Sequence, residues 1–132
     1  MIFGIGTDIA EVARIKEAVD KYGDRFINRI FTQTEQKYCE IFKENKYLHY
    51  AARFALKEAF SKAIGTGITE GFNFKEIGIK NEDNGKPVAI LEGYLLEKWG
   101  NYTTHVSLSH TKEYAVAMVV VENSDEKVEI SI

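Results

Sequence analysis

Glu58, Ser61 and Lys62 stand three and four residues apart in YAARFALKEAFSKAIGTG, residues 50–67. On a helix those spacings make neighbours on one stripe. A carboxylate, a hydroxyl and an ammonium so arranged fit two chemistries. One is a solvated i,i+4 ion pair, worth about 0.2–0.5 kcal/mol. The other is a metal-binding carboxylate and a phosphate-binding ammonium on a rigid support. The stretch by itself leaves both open. Asp8 is a second carboxylate of interest, at the end of the glycine-bearing run IFGIGTD. It is either the N-cap of the next helix or a carboxylate presented at the end of a strand. His105 and His110 lie in TTHVSLSHT, and a lone histidine is more often a satisfied structural residue than a catalyst. His49 reads as a surface residue.

These groups need elements to position them. Residues 50–67 read as one long helix, rich in Ala, Leu, Lys, Glu and Phe and uninterrupted by Pro or Gly until Gly65. Ala52, Leu56, Ala59, Phe60, Ala63 and Ile64 recur at helical spacing, so one face is buried, and the alanines let another element pack close. Gly65-Thr66-Gly67 carries C-cap chemistry. A helix C-terminus does not attract phosphate through its dipole, so a ligand there must use the glycine amides or their small size. Residues 2–8 read as a strand, and Gly4 and Gly6 mark close approach by another backbone or a ligand.

A helix is predicted over 9–22, with Gly23 stopping or bending it. If it continues, Arg14, Lys21 and Arg25 fall in one narrow band. That band is a solvated face or a docking surface for an acidic protein partner. Thr32 and Glu35 form a capping box, which opens a helix to about residue 42. A polar turn, 43–46, leads to the central helix. Strands are predicted over 74–80 and 88–91, joined by a turn through Asn84-Gly85 with Pro87 fixing its exit. A short helix over 92–99 closes at Gly100. The strongest β signals are 103–111 and 114–121, and the second is apolar on both faces, which places it centrally. The charged tail ends in VEISI, a candidate edge strand.

The chain has 132 residues, 45% hydrophobic and 28% charged, enough for one domain over 1–121 with its own core and a tail over 122–132. A net charge of −3 disfavours bulk attraction to nucleic acid or an anionic membrane. No basic run with interleaved aromatics suggests nucleic-acid binding either. Cys39 is the single cysteine, so an internal disulfide and a cysteine zinc site are excluded. It fits a reducing compartment and reads as a small buried hydrophobe. The N-terminus lacks a signal peptide's basic and apolar regions, and the longest apolar run, 115–121, is too short to span a bilayer. A soluble cytoplasmic protein is expected.

Five blocks occur in order: GIGTDIAEVARI, FTQTE, FALKEAFSKAIGTG, NGKP and SLSHTKEYAVA. Together, over about residues 2–121, they resemble the holo-[acyl-carrier-protein] synthase family of phosphopantetheinyl transferases, in its short homotrimeric type. The resemblance implies an α+β fold, with a small, mainly antiparallel sheet packed against a long central helix. It implies transfer of the 4′-phosphopantetheine arm of coenzyme A to a serine of apo acyl carrier protein, as in fatty acid biosynthesis. Mg²⁺ would be the cofactor and adenosine 3′,5′-bisphosphate the other product. Asp8 and Glu58 match the metal-binding carboxylates, and Lys62 would stabilise phosphate. Two carboxylates suit Mg²⁺, which keeps waters and takes substrate oxygens. Lys57, Ser61, Gly65 and Thr66 match positions lining the coenzyme site. Asn84, Gly85, Lys86 and Pro87 match the loop over the adenine. His105, Ser109, His110 and Thr111 match the region near the adenosine end. Arg14 matches a carrier-contacting position, extended here by Lys21 and Arg25, although Asp24 and Asn28 stand where the family often carries arginine. Ala10 leaves a coordination place to water. The resemblance further implies sites between subunits, with Ser109 and His110 opposite a neighbour's Asp8 and Glu58. Two alternatives stand beside it: a coenzyme A or nucleotide-binding module without transferase activity, and a protein-interaction domain using the Arg14 face.

Overall fold

Helix α4 (Lys46–Ala63) is the element against which the sheet is laid. The computed structural model describes residues 1–69 and 71–123. In chain order these form β1 (Ile2–Glu11), α1 (Val12–Tyr22), α2 (Asp24–Ile30), α3 (Gln33–Glu40), α4, β2 (Ile77–Asn81), β3 (Pro87–Leu91), α5 (Gly93–Trp99), β4 (Thr103–His110) and β5 (Tyr114–Glu122). Single 3₁₀ turns cover Lys43–Asn45 and Phe74–Glu76. The fold is α+β. Among the described residues no helix is long and apolar enough to cross a membrane.

β1, β5 and β4 form an antiparallel sheet in that order, so β5 is central as its sequence predicts. Its inward residues Ala115, Ala117, Val119 and Val121 are buried against α4. Its other face is not covered: Val116 and Met118 are exposed, as are Ile5 and Ile9 beside them on β1. β2 and β3 form a separate antiparallel hairpin, whose turn passes through Gly85 at φ 89°, a conformation glycine adopts without steric cost. Gly4 and Gly6 have a specific reason. A Cβ on Gly4 would run into the Ala63 carbonyl oxygen, and one on Gly6 into that of Ala59. The close approach is therefore by the α4 backbone, and the alanines of α4 are the matching half of it.

Several boundaries differ from those the sequence predicts. β1 continues to Glu11 because Asp8, Ile9, Ala10 and Glu11 pair with β5 residues Ala117, Val116, Ala115 and Tyr114. Asp8 is thus inside a strand and is not a helix N-cap. The N-cap of α1 is Glu11, which makes no side-chain cap bond. Gly23, at φ 58°, ends α1, and α2 starts as a new helix at Asp24. Arg25 therefore does not continue the Arg14/Lys21 stripe. α4 starts at Lys46, earlier than residue 50, and ends at Ala63, where the Gly65, Thr66 and Gly67 amides fold back onto the Lys62 and Ser61 carbonyls. Residues 74–76 are a turn and not a strand, since the Asn73 side chain accepts from the Lys75 amide. Glu70 and the tail 124–132, with its candidate edge strand, lie outside the described residues.

The Thr32–Glu35 capping box is present, with bonds of 3.2 and 2.9 Å. It is also more than local. Glu35 is completely buried and accepts from Lys57 Nζ at 2.8 Å and from the Ile79 amide at 3.2 Å. This one carboxylate ties α3, α4 and β2 together.

Candidate active site

The close approach of β1 and α4 fixes the site. With Gly6 against Ala59, Asp8 comes opposite the last two turns of α4. Lys62 Nζ donates to Asp8 Oδ1 at 2.9 Å and to the Thr7 carbonyl at 3.1 Å. Asp8 is largely buried, while Lys62 is half exposed. Glu58, one turn before Lys62, stands with Asp8 in the lining of one cleft. Burial pushes the Glu58 carboxyl above its ordinary value, the neighbouring Asp8 carboxylate pushes the same way, and Lys62 partly offsets them.

Two crowded carboxylates of which one resists ionisation are what a hard divalent cation relieves, because it compensates both charges at once. Among the described residues no group of three or more His, Cys, Asp or Glu could hold a metal. Asp8 and Glu58 together could hold a hard cation such as Mg²⁺, provided retained waters and substrate oxygens completed its shell. The pair opens into a cleft of about 290 Å³ lined also by Ala10, Arg14, Phe54 and Tyr114. Arg14 is exposed, its Nε 3.7 Å from Glu11, and Lys21 lies over the Tyr22 ring at 5.3 Å.

A second hollow, of about 210 Å³, gathers Tyr38, His49, Arg53, Gly85, Pro87 and His110. It brings the NGKP turn to His110, two regions the sequence could only name separately. Asn84 shapes that turn by accepting from the Lys86 amide at 3.0 Å, and Lys86 is exposed. Arg53 Nη2 donates to Asn81 Oδ1 at 2.8 Å, and its guanidinium lies 4.4 Å from the Tyr38 ring centre. Its Nε is buried without a partner.

Over residues 4–119 the chain matches the family model described as the 4′-phosphopantetheinyl transferase superfamily. The chain belongs to that superfamily and is an enzyme of it. It is 48% identical over 124 residues to the holo-[acyl-carrier-protein] synthase of Ruminiclostridium cellulolyticum, covering 92% of each chain. It is 42% identical over 126 residues to that of Koribacter versatilis, covering 93% of this chain and 100% of the relative. The crystal structure of the Bacillus anthracis holo-(acyl-carrier-protein) synthase in complex with CoA (3′,5′-ADP) superposes with a TM-score of 0.80 at 42% identity, covering 94% of this chain and 99% of that one.

Other residues named from the sequence fall elsewhere in this transferase. Lys57 is fully buried and spends its ammonium on Glu35, the Phe74 carbonyl and the Ile77 carbonyl, at 2.8, 2.9 and 2.6 Å. It presents no surface to a coenzyme. Ser61 is also buried and donates to the Glu58 carbonyl at 2.6 Å, so it does not share the open stripe of Glu58 and Lys62. Thr66 and Gly65 are exposed beyond α4, with Thr66 at the edge of a hollow formed with Ile64, Phe72 and Trp99. The Thr111 hydroxyl accepts from the Glu113 and Tyr114 amides, at 3.3 and 3.1 Å, and holds the β4–β5 turn. His105 is five positions from His110 on β4, so the two occupy opposite faces. His105 meets Glu122 at 3.0 Å, away from the hollow. Ser109 shares the His105 face.

Two residues of the hollow were missed. Arg53 lies in the central helix without any motif marking it, and His49 is not a free surface residue. His49 stacks on Phe42 with ring centres 3.7 Å apart and meets His110 edge-on at 5.4 Å. Their i,i+4 spacing on one helix was the available signal.

Proposed function

We propose that this transferase moves the 4′-phosphopantetheine arm of coenzyme A onto a serine of apo acyl carrier protein, with Mg²⁺, and releases 3′,5′-ADP. The observation that carries this reading is the Asp8–Glu58 carboxylate pair with Lys62 across from it, in a chain whose relatives are holo-[acyl-carrier-protein] synthases. Asp8 and Glu58 would hold Mg²⁺, which when bound supplies positive charge to the coenzyme pyrophosphate. Lys62 is half exposed and has donor capacity left, so it can turn to the same phosphates. The carrier serine oxygen bonds to the β-phosphorus as its proton passes to water, and the bond from that phosphorus to the 5′-phosphate oxygen breaks, releasing 3′,5′-ADP. The chain's share is mostly positioning and charge placement, the main resources in phosphoryl transfer. Arg53, Gly85, Pro87 and His110 form the hollow suited to the nucleotide end, with Arg53 contributing its charge.

The carrier docks through Arg14 and Lys21 on α1, with Arg25 contributing from α2, because an exposed basic face steers and holds an acidic partner. The uncovered sheet face supports a homotrimer. Ile5, Ile9, Val116 and Met118 are 40 to 62% exposed and contiguous across β1 and β5, and monomers rarely leave such a patch open. His105 and Ser109 share that side of the sheet, so a neighbour completes each site there. The setting is fatty acid biosynthesis in the cytoplasm. The test is chromatographic release of 3′,5′-ADP from coenzyme A in the presence of apo carrier. Release with Mg²⁺ and none with EDTA is expected. Coenzyme A binding without release in either condition would reduce the protein to a passive binding module.

A further inference from the structure

His49 belongs to none of the motifs that carry the transferase reading, yet the fold builds a place for it. The chain leaves α3, turns through Lys43–Asn45 and re-enters α4 so that Phe42 lies flat on the imidazole, with 22° between the planes. Tyr38 of α3 meets the ring edge-on at 5.7 Å, and His110 of β4 does so at 5.4 Å. The half-buried ring lines the hollow shared with Arg53, Gly85 and Pro87. The titratable and charged groups facing it are Tyr38 from α3, Arg53 from its own helix and His110 from β4. Arg53 also donates to the His49 carbonyl at 3.4 Å. Burial, then the charge of Arg53, then that of His110, hold the imidazole down to about 4. At neutral pH it is therefore an uncharged aromatic ring, and the positive charge of the hollow resides on Arg53.

We infer that His49 is a specificity-determining residue for the nucleobase end of the coenzyme, acting as a neutral aromatic wall held by its stack on Phe42. The inference rests on the transferase reading and adds to it which chemistry of the coenzyme the wall reads: a flat purine and not a phosphate. A neutral imidazole offers a phosphate one N–H and no charge, a weaker attraction than the guanidinium of Arg53 beside it. A flat ring beside a guanidinium is the pairing that accepts a base on one side and leaves anions to the other.

The experiment compares wild type with His49→Ala, His49→Leu and His49→Phe, using coenzyme A and 3′-dephospho-coenzyme A as probes. It reads Kd by titration calorimetry and KM and kcat with apo carrier. Loss of base–aromatic stacking predicts about 10-fold weaker binding of both probes by the Ala variant, with kcat little changed. Leu refills the volume without a π face, so it should be as weak as Ala and guards against a variant that fails to fold. Phe restores the ring and should restore Kd and KM. Three results overturn the inference: Phe as weak as Ala, a deficit that disappears with 3′-dephospho-coenzyme A, or an Ala and Leu pair that bind like wild type. If wild type binds neither probe and modifies no carrier, the transferase reading falls and takes the inference with it.

Discussion

Helix α4 carries two lysine–carboxylate pairs that differ in everything but their chemistry. Lys57 and Glu35 are wholly buried. All three ammonium donors are used, and Glu35 accepts from Thr32, Lys57 and Ile79. Burial pulls the Lys57 ammonium below its ordinary value while Glu35 pushes it back up. Lys62 and Asp8 lie at the edge of the cleft, with the lysine half exposed, and Glu58 crowds the same aspartate. Five residues is about 140° of helical rotation, so one helix presents one pair inward and the other to the cleft. The inner pair has no capacity left and joins three elements. The outer one keeps donors and acceptors for something that is not protein. Residue type does not separate scaffold from site here; unspent hydrogen-bonding capacity does.

The sharpest way to break this contrast is to remove the two lysines separately. Lys57→Met strands the Glu35 carboxylate in the interior and should cost about 3–5 kcal/mol in denaturant unfolding. A loss under about 1 kcal/mol would mean that the inner pair ties nothing together. Lys62→Met removes a half-exposed contact, so stability should change by about 1 kcal/mol or less. Its kcat should fall about 10- to 100-fold, the scale on which positioned charges act in transfer sites. An unchanged kcat, or an unfolding loss like that of Lys57→Met, would erase the distinction.

The pH dependence of stability probes the hollow beside His49 in the same terms. His49 is held down to about 4 in the folded chain, against an ordinary 6.5. Between those values the unfolded chain binds more protons, so stability is full above about pH 6.5 and is lost as pH falls toward 4. After discounting for the ring's partial exposure, the loss assignable to His49 is about 1–2 kcal/mol. His49→Phe should flatten that part of the profile, and an unchanged slope would show that His49 is not what titrates. The smallest effect is expected at the rim. Arg14→Ala should raise KM for the carrier by about 3- to 10-fold and leave KM for coenzyme A alone. Equal effects on both would remove Arg14 from docking.

Much of the candidate site's geometry was legible because it is local. Glu58 and Lys62 are one turn apart, and helical spacing gives that directly. Gly4 and Gly6 announced a close approach, and the alanines of α4 announced the surface that makes it. What failed was non-local. The extension of β1 to Glu11 is set by pairing with β5, more than 100 residues away in sequence. The capping box explained Glu35 so completely that its second partner, 22 residues on, left no trace. Ser61 matched the stripe by spacing, but burial, which spacing does not reveal, removed it. The Arg14, Lys21 and Arg25 band depended on one helix, and Gly23 made two. His49 needed Phe42 across a turn and His110 from a distant strand before it became a wall.

The most direct test is the intact mass of an apo acyl carrier protein after incubation with coenzyme A and either wild type or Glu58→Gln, each with Mg²⁺ or with EDTA. If the open carboxylate pair organises the transfer, wild type with Mg²⁺ adds one phosphopantetheine arm. EDTA then abolishes the gain, and Glu58→Gln slows it by about 100-fold or more while still folding. A gain that survives EDTA or the Glu58→Gln change, or no gain from a protein that binds coenzyme A, would contradict that role.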